Sequence, residues 1–377
     1  MNRQTIQSVT SLRRELHRYP ELSHQEAGTA ERLVEFFATH LPDRIIQGLG
    51  GHGLAVVFGG RNDGPTTLFR AELDALPIFE TGERPYASTQ QGRSHSCGHD
   101  GHMAILAGLG TELSQVRPRR GRVVLLFQPA EETGEGADRV LKSPGFKELR
   151  PDMAFALHNL PGYALHEIVL KKGTFTAASK GMTVRLNGET SHAAHPEDGT
   201  PPTEALAKLM VGLERLSESM GDFSLVTVVH VSMGERSFGI SPGSATLMAT
   251  LRTFDNGIMD RLTIYAERLV ADIAKSYKLE ASFSYSESFD AVENDAKAWE
   301  HVNESVKKLK LKTKHIRLPF RWSEDFGRFS AYCPTFLFGI GAGIKQPQLH
   351  ESSYDFPDEL IPTATGLFWE VIQRIHS

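Results

Sequence analysis

Cysteine is scarce in this chain, with only Cys97 and Cys333. Two thiols that far apart make no disulfide framework, so the fold has to close on its hydrophobic core, and a reducing compartment suits it. Long apolar runs are also missing. No segment approaches the roughly 18 uninterrupted apolar residues of a spanning helix, and Met1–Leu12 is too polar for a secretory signal. A cytoplasmic protein without membrane contact is the expectation. Nor is there an excess of positive charge: the formal net charge is -5 and the pI near 6.4. The basic runs Arg117–Arg122 and Lys307–Lys314 are balanced elsewhere and read as solvated faces, which leaves no electrostatic case for nucleic acid.

What remains is an ordinary globular composition, 40% apolar and 23% charged, spread over 377 residues. That length exceeds what one core usually serves, so two domains are expected. Residues 4–41 read as two helices broken at Tyr19-Pro20-Glu21. Buried-strand runs follow at 53–58, 66–70 and 123–127, with a helix over 101–113 between the last two. Strands alternating with helices predict an α/β domain, a mixed sheet covered by helices. From about residue 180 the order becomes β-α-β-β-α-β, the pattern of a ferredoxin-like α+β module. The alternating pattern then resumes with a helix near 295–310 and a strand near 335–340. The division this suggests is a catalytic domain over 1–178 and 289–377, with an inserted lid or dimerisation domain over 179–288.

Chemistry concentrates at a few points. His95, Cys97, His99, Asp100 and His102 lie within eight residues, just before a predicted helix. Thiolate and imidazole are natural ligands of zinc and its neighbours. Glu131-Glu132 follows the apolar run 123–127, where one carboxylate can hold a metal ion and the other can take a proton from an activated water. His158 and His350 each follow an apolar stretch. On position alone they remain candidates, and nothing local ranks Glu131 above Glu132.

These stretches resemble a known family. The matching segments are 16–23 (LHRYPELS), 70–77 (RAELDALP), 95–102, 128–132 (QPAEE), 157–159 (LHN), 191–196 (SHAAHP), 323–326 (SEDF), and His350 with Tyr354-Asp355-Phe356. In that order they are similar to the amidohydrolases that include bacterial hippurate hydrolase, N-acyl-amino-acid deacylases and hydrolases of indoleacetyl-amino-acid conjugates. These are grouped with aminoacylases and diaminopimelate desuccinylase among the metallopeptidases. The resemblance spans essentially the whole chain and is most specific at the metal motifs.

It implies two divalent metal ions, zinc or manganese, with nickel or cobalt able to support the same reaction. Cys97 then bridges the ions, His99 and His158 hold one, and Glu132 and His350 the other. Glu131 becomes the general base. Asp74 supports the site from behind and Asp100 orients His99. His192 steadies the oxyanion from a partner subunit, implying a homodimer through the inserted domain, and Arg252 is available to a substrate carboxylate. Closure of the inserted domain is expected to bring His192 and Arg252 toward a small N-acyl amino acid. Glu72 departs from the shorter residue common at its position. Two rival readings are a cysteine-nucleophile hydrolase built on Cys97 with His95 or His99, and a non-catalytic metal-binding scaffold. The first leaves Glu131 and Glu132 idle, and the second predicts a missing base or ligand where none is missing.

Overall fold

The computed structural model describes residues 1–377, and the chain forms two compact units. The first comprises Met1–Phe175, Val292–Pro319 and Asp325–Ser377; the second comprises Thr176–Ala291 and Phe320–Glu324.

An eight-stranded mixed sheet organises the first unit. Its strand order is Arg44–Leu49, Gly53–Gly59, Arg120–Gln128, Asn62–Glu72, Met153–Pro161, Thr335–Gly343, Ile168–Leu170 and Thr313–His315. The four central strands, 120–128, 62–72, 153–161 and 335–343, run parallel to one another. In three of them, 120–128, 153–161 and 335–343, largely apolar runs fit strands buried on both faces. Gly53–Gly59 runs antiparallel to its neighbours on either side. Parallel neighbours present all their carboxyl ends along one rim, and there the candidate residues gather: Glu72 and Asp74, Glu131 and Glu132, His158, and then His350.

Helix His99–Gln115 is buried almost throughout, packing on Arg3–Arg18, Leu360–His376 and strand 62–72. It begins at Gly98, whose φ of +90° suits glycine. A Cβ there would lie 2.6 Å from the Asn159 side-chain oxygen, so the helix start and the His158–Asn159 strand end approach closely only because residue 98 lacks one.

The second unit carries strands Ala178–Asn187, Ser224–Met233, Ser244–Thr253 and Glu280–Phe289 with helices Thr203–Leu216 and Asn256–Ser276, a β-α-β-β-α-β order. All pairings in its four-stranded sheet are antiparallel, with Ser224–Met233 and Glu280–Phe289 at the edges. Met182, Val184 and Leu186 face the two helices in a core separate from that of the first unit. No helix is long and apolar enough to cross a membrane.

Candidate metal centre

His99 is the first residue of its helix, and its Nδ1 lies 2.8 Å from the Asp74 carbonyl oxygen. A carbonyl only accepts, so Nδ1 carries the proton and Nε2 keeps its lone pair. Nε2 is buried with no hydrogen-bond partner, 3.9 Å from a carboxylate oxygen of Glu131 and 3.9 Å from one of Glu132. His158 is arranged alike: Nδ1 donates to the Asn159 carbonyl at 3.0 Å, and Nε2 points to Cys97 Sγ at 3.6 Å. Fixing the outer nitrogen by a backbone acceptor while the inner one faces other donors is how metal-binding imidazoles are held.

The donor atoms form two overlapping groups. Those of Cys97, His99 and His158 lie within 4.8 Å of one another, as do those of Cys97, Glu132 and His350, so the Cys97 sulfur belongs to both. Three further groups adjoin them: His99, Glu131 and Glu132, which links the two; Glu72, His99 and His102; and Glu131, Glu324 and Asp325. The electrostatics ask for positive charge at this place. Burial and the carboxylates of Glu132, Glu131 and Glu72 push the Cys97 thiol well above its ordinary pKa. Burial alone would lower the pKa of His99, yet Glu72, Glu132 and Asp74 hold it above the usual value. His158 is pushed down to about 3 by burial and by the neighbouring His102, which outweigh Glu72, so it offers a neutral imidazole. A buried lone pair facing carboxylates, with a thiol between, fits divalent cations.

Two of the residues around this centre sit in strained backbone. Ala130 has φ +51° and His350 φ +66°, left-handed values that side chains other than glycine seldom adopt. The His350 loop is anchored by its own N–H donating to the Ser96 carbonyl, 2.9 Å away, which ties it to the residue before Cys97. Asp74 ties the two donor groups together. Its carbonyl receives His99, while its Oδ2 accepts from the Glu132 N–H at 3.0 Å and from the Ser23 hydroxyl at 2.7 Å.

Asp100 does something other than expected. It does not orient His99; it pairs with Arg13 Nε and with His17 Nδ1, each at 2.8 Å, in a fully buried ion network. Successive helical residues point about 100° apart, so the neighbour of His99 faces away from the centre, toward helix Arg3–Arg18. Burial opposes ionising Asp100, but Arg13 and His17 hold it well below the usual carboxylate range. Residue types alone also failed to single out His102. Its Nδ1 meets Glu72 at 2.6 Å and its Nε2 accepts from the Asn159 N–H at 3.3 Å. With both nitrogens engaged it braces the His158 strand end, and Glu72 is ion-paired to Arg70 behind it. His95 is buried, with its pKa lowered to about 3 by burial, and contributes to none of the donor groups.

His192 and Arg252 belong to the second unit. His192 is exposed in the short strand Ser191–His192, with Nδ1 accepting from the Ala194 N–H at 3.1 Å. Arg252 is partly buried and donates to the Arg321 carbonyl at 2.9 Å and to the Ser323 hydroxyl at 3.1 Å.

The model of peptidase family M20/M25/M40 matches residues 68–374, a span containing every member of the donor groups. The chain belongs to that family. Among curated relatives, an N-acetyldiaminopimelate deacetylase of Anoxybacillus flavithermus is 31% identical over 362 residues, covering 95% of this chain and 94% of the relative. An N-acetylcysteine deacetylase of Bacillus subtilis is 28% identical over 367 residues, covering 96% and 95%. Among solved structures, a dinuclear metal-binding M20 peptidase of Bacillus subtilis superposes with a TM-score of 0.84 at 26% identity, covering 100% of this chain and 99% of that one. An aminobenzoyl-glutamate utilization protein of Klebsiella pneumoniae shares the fold, with a TM-score of 0.75 at 20% identity over 99% and 96% of the chains. This M20 protein is a metal-dependent amidohydrolase, as its family and relatives are.

Proposed function

We propose that the chain hydrolyses N-acyl amino acids at a centre of two divalent cations, zinc or manganese in the first instance, with nickel or cobalt as substitutes. The observation that carries this reading is the shared sulfur, because two donor groups meeting at Cys97 would let one thiolate serve both ions. His99 and His158 serve one ion, Glu132 and His350 the other. Bound cations supply Lewis-acid polarisation of the amide carbonyl and make water acidic enough to attack it.

Glu131 is left as the proton carrier: nearly buried, close to His99, and absent from both cysteine-centred groups. It takes the proton of the attacking water and returns it to the departing nitrogen. His192 is assigned to the oxyanion and Arg252 to a substrate carboxylate. The cysteine-nucleophile alternative meets a physical obstacle in the carboxylates around Cys97, which disfavour a free thiolate.

A homodimer through the second unit is supported by edge strand Ser224–Met233, which exposes Leu225, Val229 and Met233. A reducing cytoplasm is supported by the need to keep Cys97 as a thiol.

The relatives named for N-acetyldiaminopimelate and N-acetylcysteine put N-acetyl amino acids first in a substrate panel. Hydrolysis is to be measured on the protein as purified, after chelation, and after adding back zinc or manganese. Chelation should abolish turnover and metal restore it. Glu131→Ala should keep its cations and lose about 10²–10⁴ in kcat. Turnover that survives chelation but stops on thiol alkylation would transfer the chemistry to Cys97.

A further inference from the structure

The segment around Pro20-Glu21-Leu22-Ser23 and Glu26 lies far along the chain from every donor, yet it reaches the turn that carries Glu131. Glu26 occupies the N-cap position of helix Ala27–Ala38, but its side chain makes no cap bond. Glu21 caps the helix instead, accepting from the Gly28 N–H at 3.2 Å and the Thr29 N–H at 2.6 Å. Gly28 permits this, since a Cβ there would come within 3.0 Å of the Glu21 carboxylate. Relieved of the usual capping duty, the fully buried Glu26 carboxylate accepts from the Ala130 N–H at 2.9 Å.

Ala130 is the left-handed residue immediately before Glu131. On the other side of Glu131, the Glu132 N–H is held by Asp74, which Ser23 in turn holds. Two carboxylates therefore grip the peptide N–H groups flanking Glu131, and both are fastened to the 21–26 segment. The Ala75 N–H donating to the Glu21 carbonyl at 2.8 Å completes the fastening.

We propose that Glu26 is a positioning residue for Glu131, acting through the Ala130 peptide N–H, and that segment 21–26 is the clamp that fixes the direction of the catalytic carboxylate. The role does not require charge at Glu26; it requires an acceptor oxygen at that place. The proposal rests on Glu131 being the proton carrier.

Three variants of the full chain test it: Glu26→Leu, Glu26→Gln and Glu26→Asp. In Glu26→Leu, kcat should fall about 10–100-fold with KM within about threefold, as when a supporting group lets a reacting group drift. Hydrogen–deuterium exchange read on the peptide spanning 128–136 should accelerate about tenfold in the same variant, whether or not metal is bound. Glu26→Gln, whose amide oxygen still accepts, should restore both readouts. Glu26→Asp keeps the buried acid and withdraws the oxygen by one methylene, so it should be impaired even if Glu26→Leu does not fold. Wild-type kcat in Glu26→Asp, wild-type exchange in Glu26→Leu, or a Glu26→Gln protein as impaired as Glu26→Leu would each overturn the clamp. Activity retained by Glu131→Ala would instead overturn the role of Glu131, and the exchange result would stand apart from it.

Discussion

The two donor groups that share Cys97 differ in their surroundings. Cys97, His99 and His158 are all buried, and both imidazoles are locked by backbone carbonyls at their outer nitrogens. In the other group Glu132 is half-buried, and His350 leaves 52% of its side chain exposed on a loop in left-handed backbone. One half of the centre is part of the core; the other is laid onto it from the rim. If the proposed two-cation reading holds, the inner residues should contribute more to the stability of the unit and the outer ones should release a cation first.

Substitutions can break that contrast or sharpen it. The largest effect should come from Cys97→Ala, which removes the donor both halves share. Cation content should fall for both ions and activity by about 10³ or more, since Lewis-acid assistance is worth several kcal/mol; retention of two ions would dissolve the pairing. Next is His158→Ala, which empties a buried site as well as removing a proposed ligand. In urea unfolding of the metal-free chain it should cost about 2 kcal/mol or more. A third effect is on the order of metal loss. Timed dialysis against a chelator, followed by metal analysis, should pass through a species with one cation per chain, and His350→Ala should stop at that species from the outset.

The buried ion network behind the inner half gives a fourth test. Burial opposes charge on His17, but Asp100 and Glu80 raise its pKa from 6.5 to about 9. A raised folded-state value stabilises fully below pH 6.5, and the stabilisation is lost as pH climbs through 9. His17→Gln should therefore trail the wild type by on the order of 3 kcal/mol at pH 6 and close most of that gap by pH 10. An equal gap at both pH values would mean that folding leaves the pKa of His17 unchanged. The smallest effect belongs to the outer half: His350→Ala in the metal-free chain should change unfolding stability by no more than about 0.5 kcal/mol.

Much of this is legible in the sequence. The apolar run 123–127 marks the strand Arg120–Gln128, and the helix expected over 101–113 runs from His99 to Gln115. Periodicity and run length report burial, and those elements are buried. Strands Arg44–Leu49, Ile168–Leu170 and Thr313–His315 escaped notice because they are short or polar and owe their conformation to a neighbour's edge. The cluster from His95 to His102 and the pair Glu131-Glu132 stand out by residue type, whereas the choice of His158 and His350 and the order within the pair come only from the family resemblance. The supports of these residues do not stand out. Asp100 reads as a partner for the histidine beside it, and only the packing of helix Arg3–Arg18 shows that it answers Arg13 and His17 instead. Glu26 is hidden for the same reason, because 104 positions separate it from the N–H it holds. Long-range hydrogen bonds leave no periodic trace.

Strand Met153–Pro161 lies beside strand Thr335–Gly343, although the whole second unit is threaded between them. During synthesis the first of these strands emerges well before its neighbour. Apart from five residues, the second unit is contiguous, so it can fold while the large sheet is still missing a central strand. Once folded, it replaces a long floppy connection with a compact one and shortens the loop that remains to be closed. The rim that gathers Cys97, His158 and His350 is therefore among the last parts of the molecule to exist, and cation capture should coincide with the end of folding rather than start it.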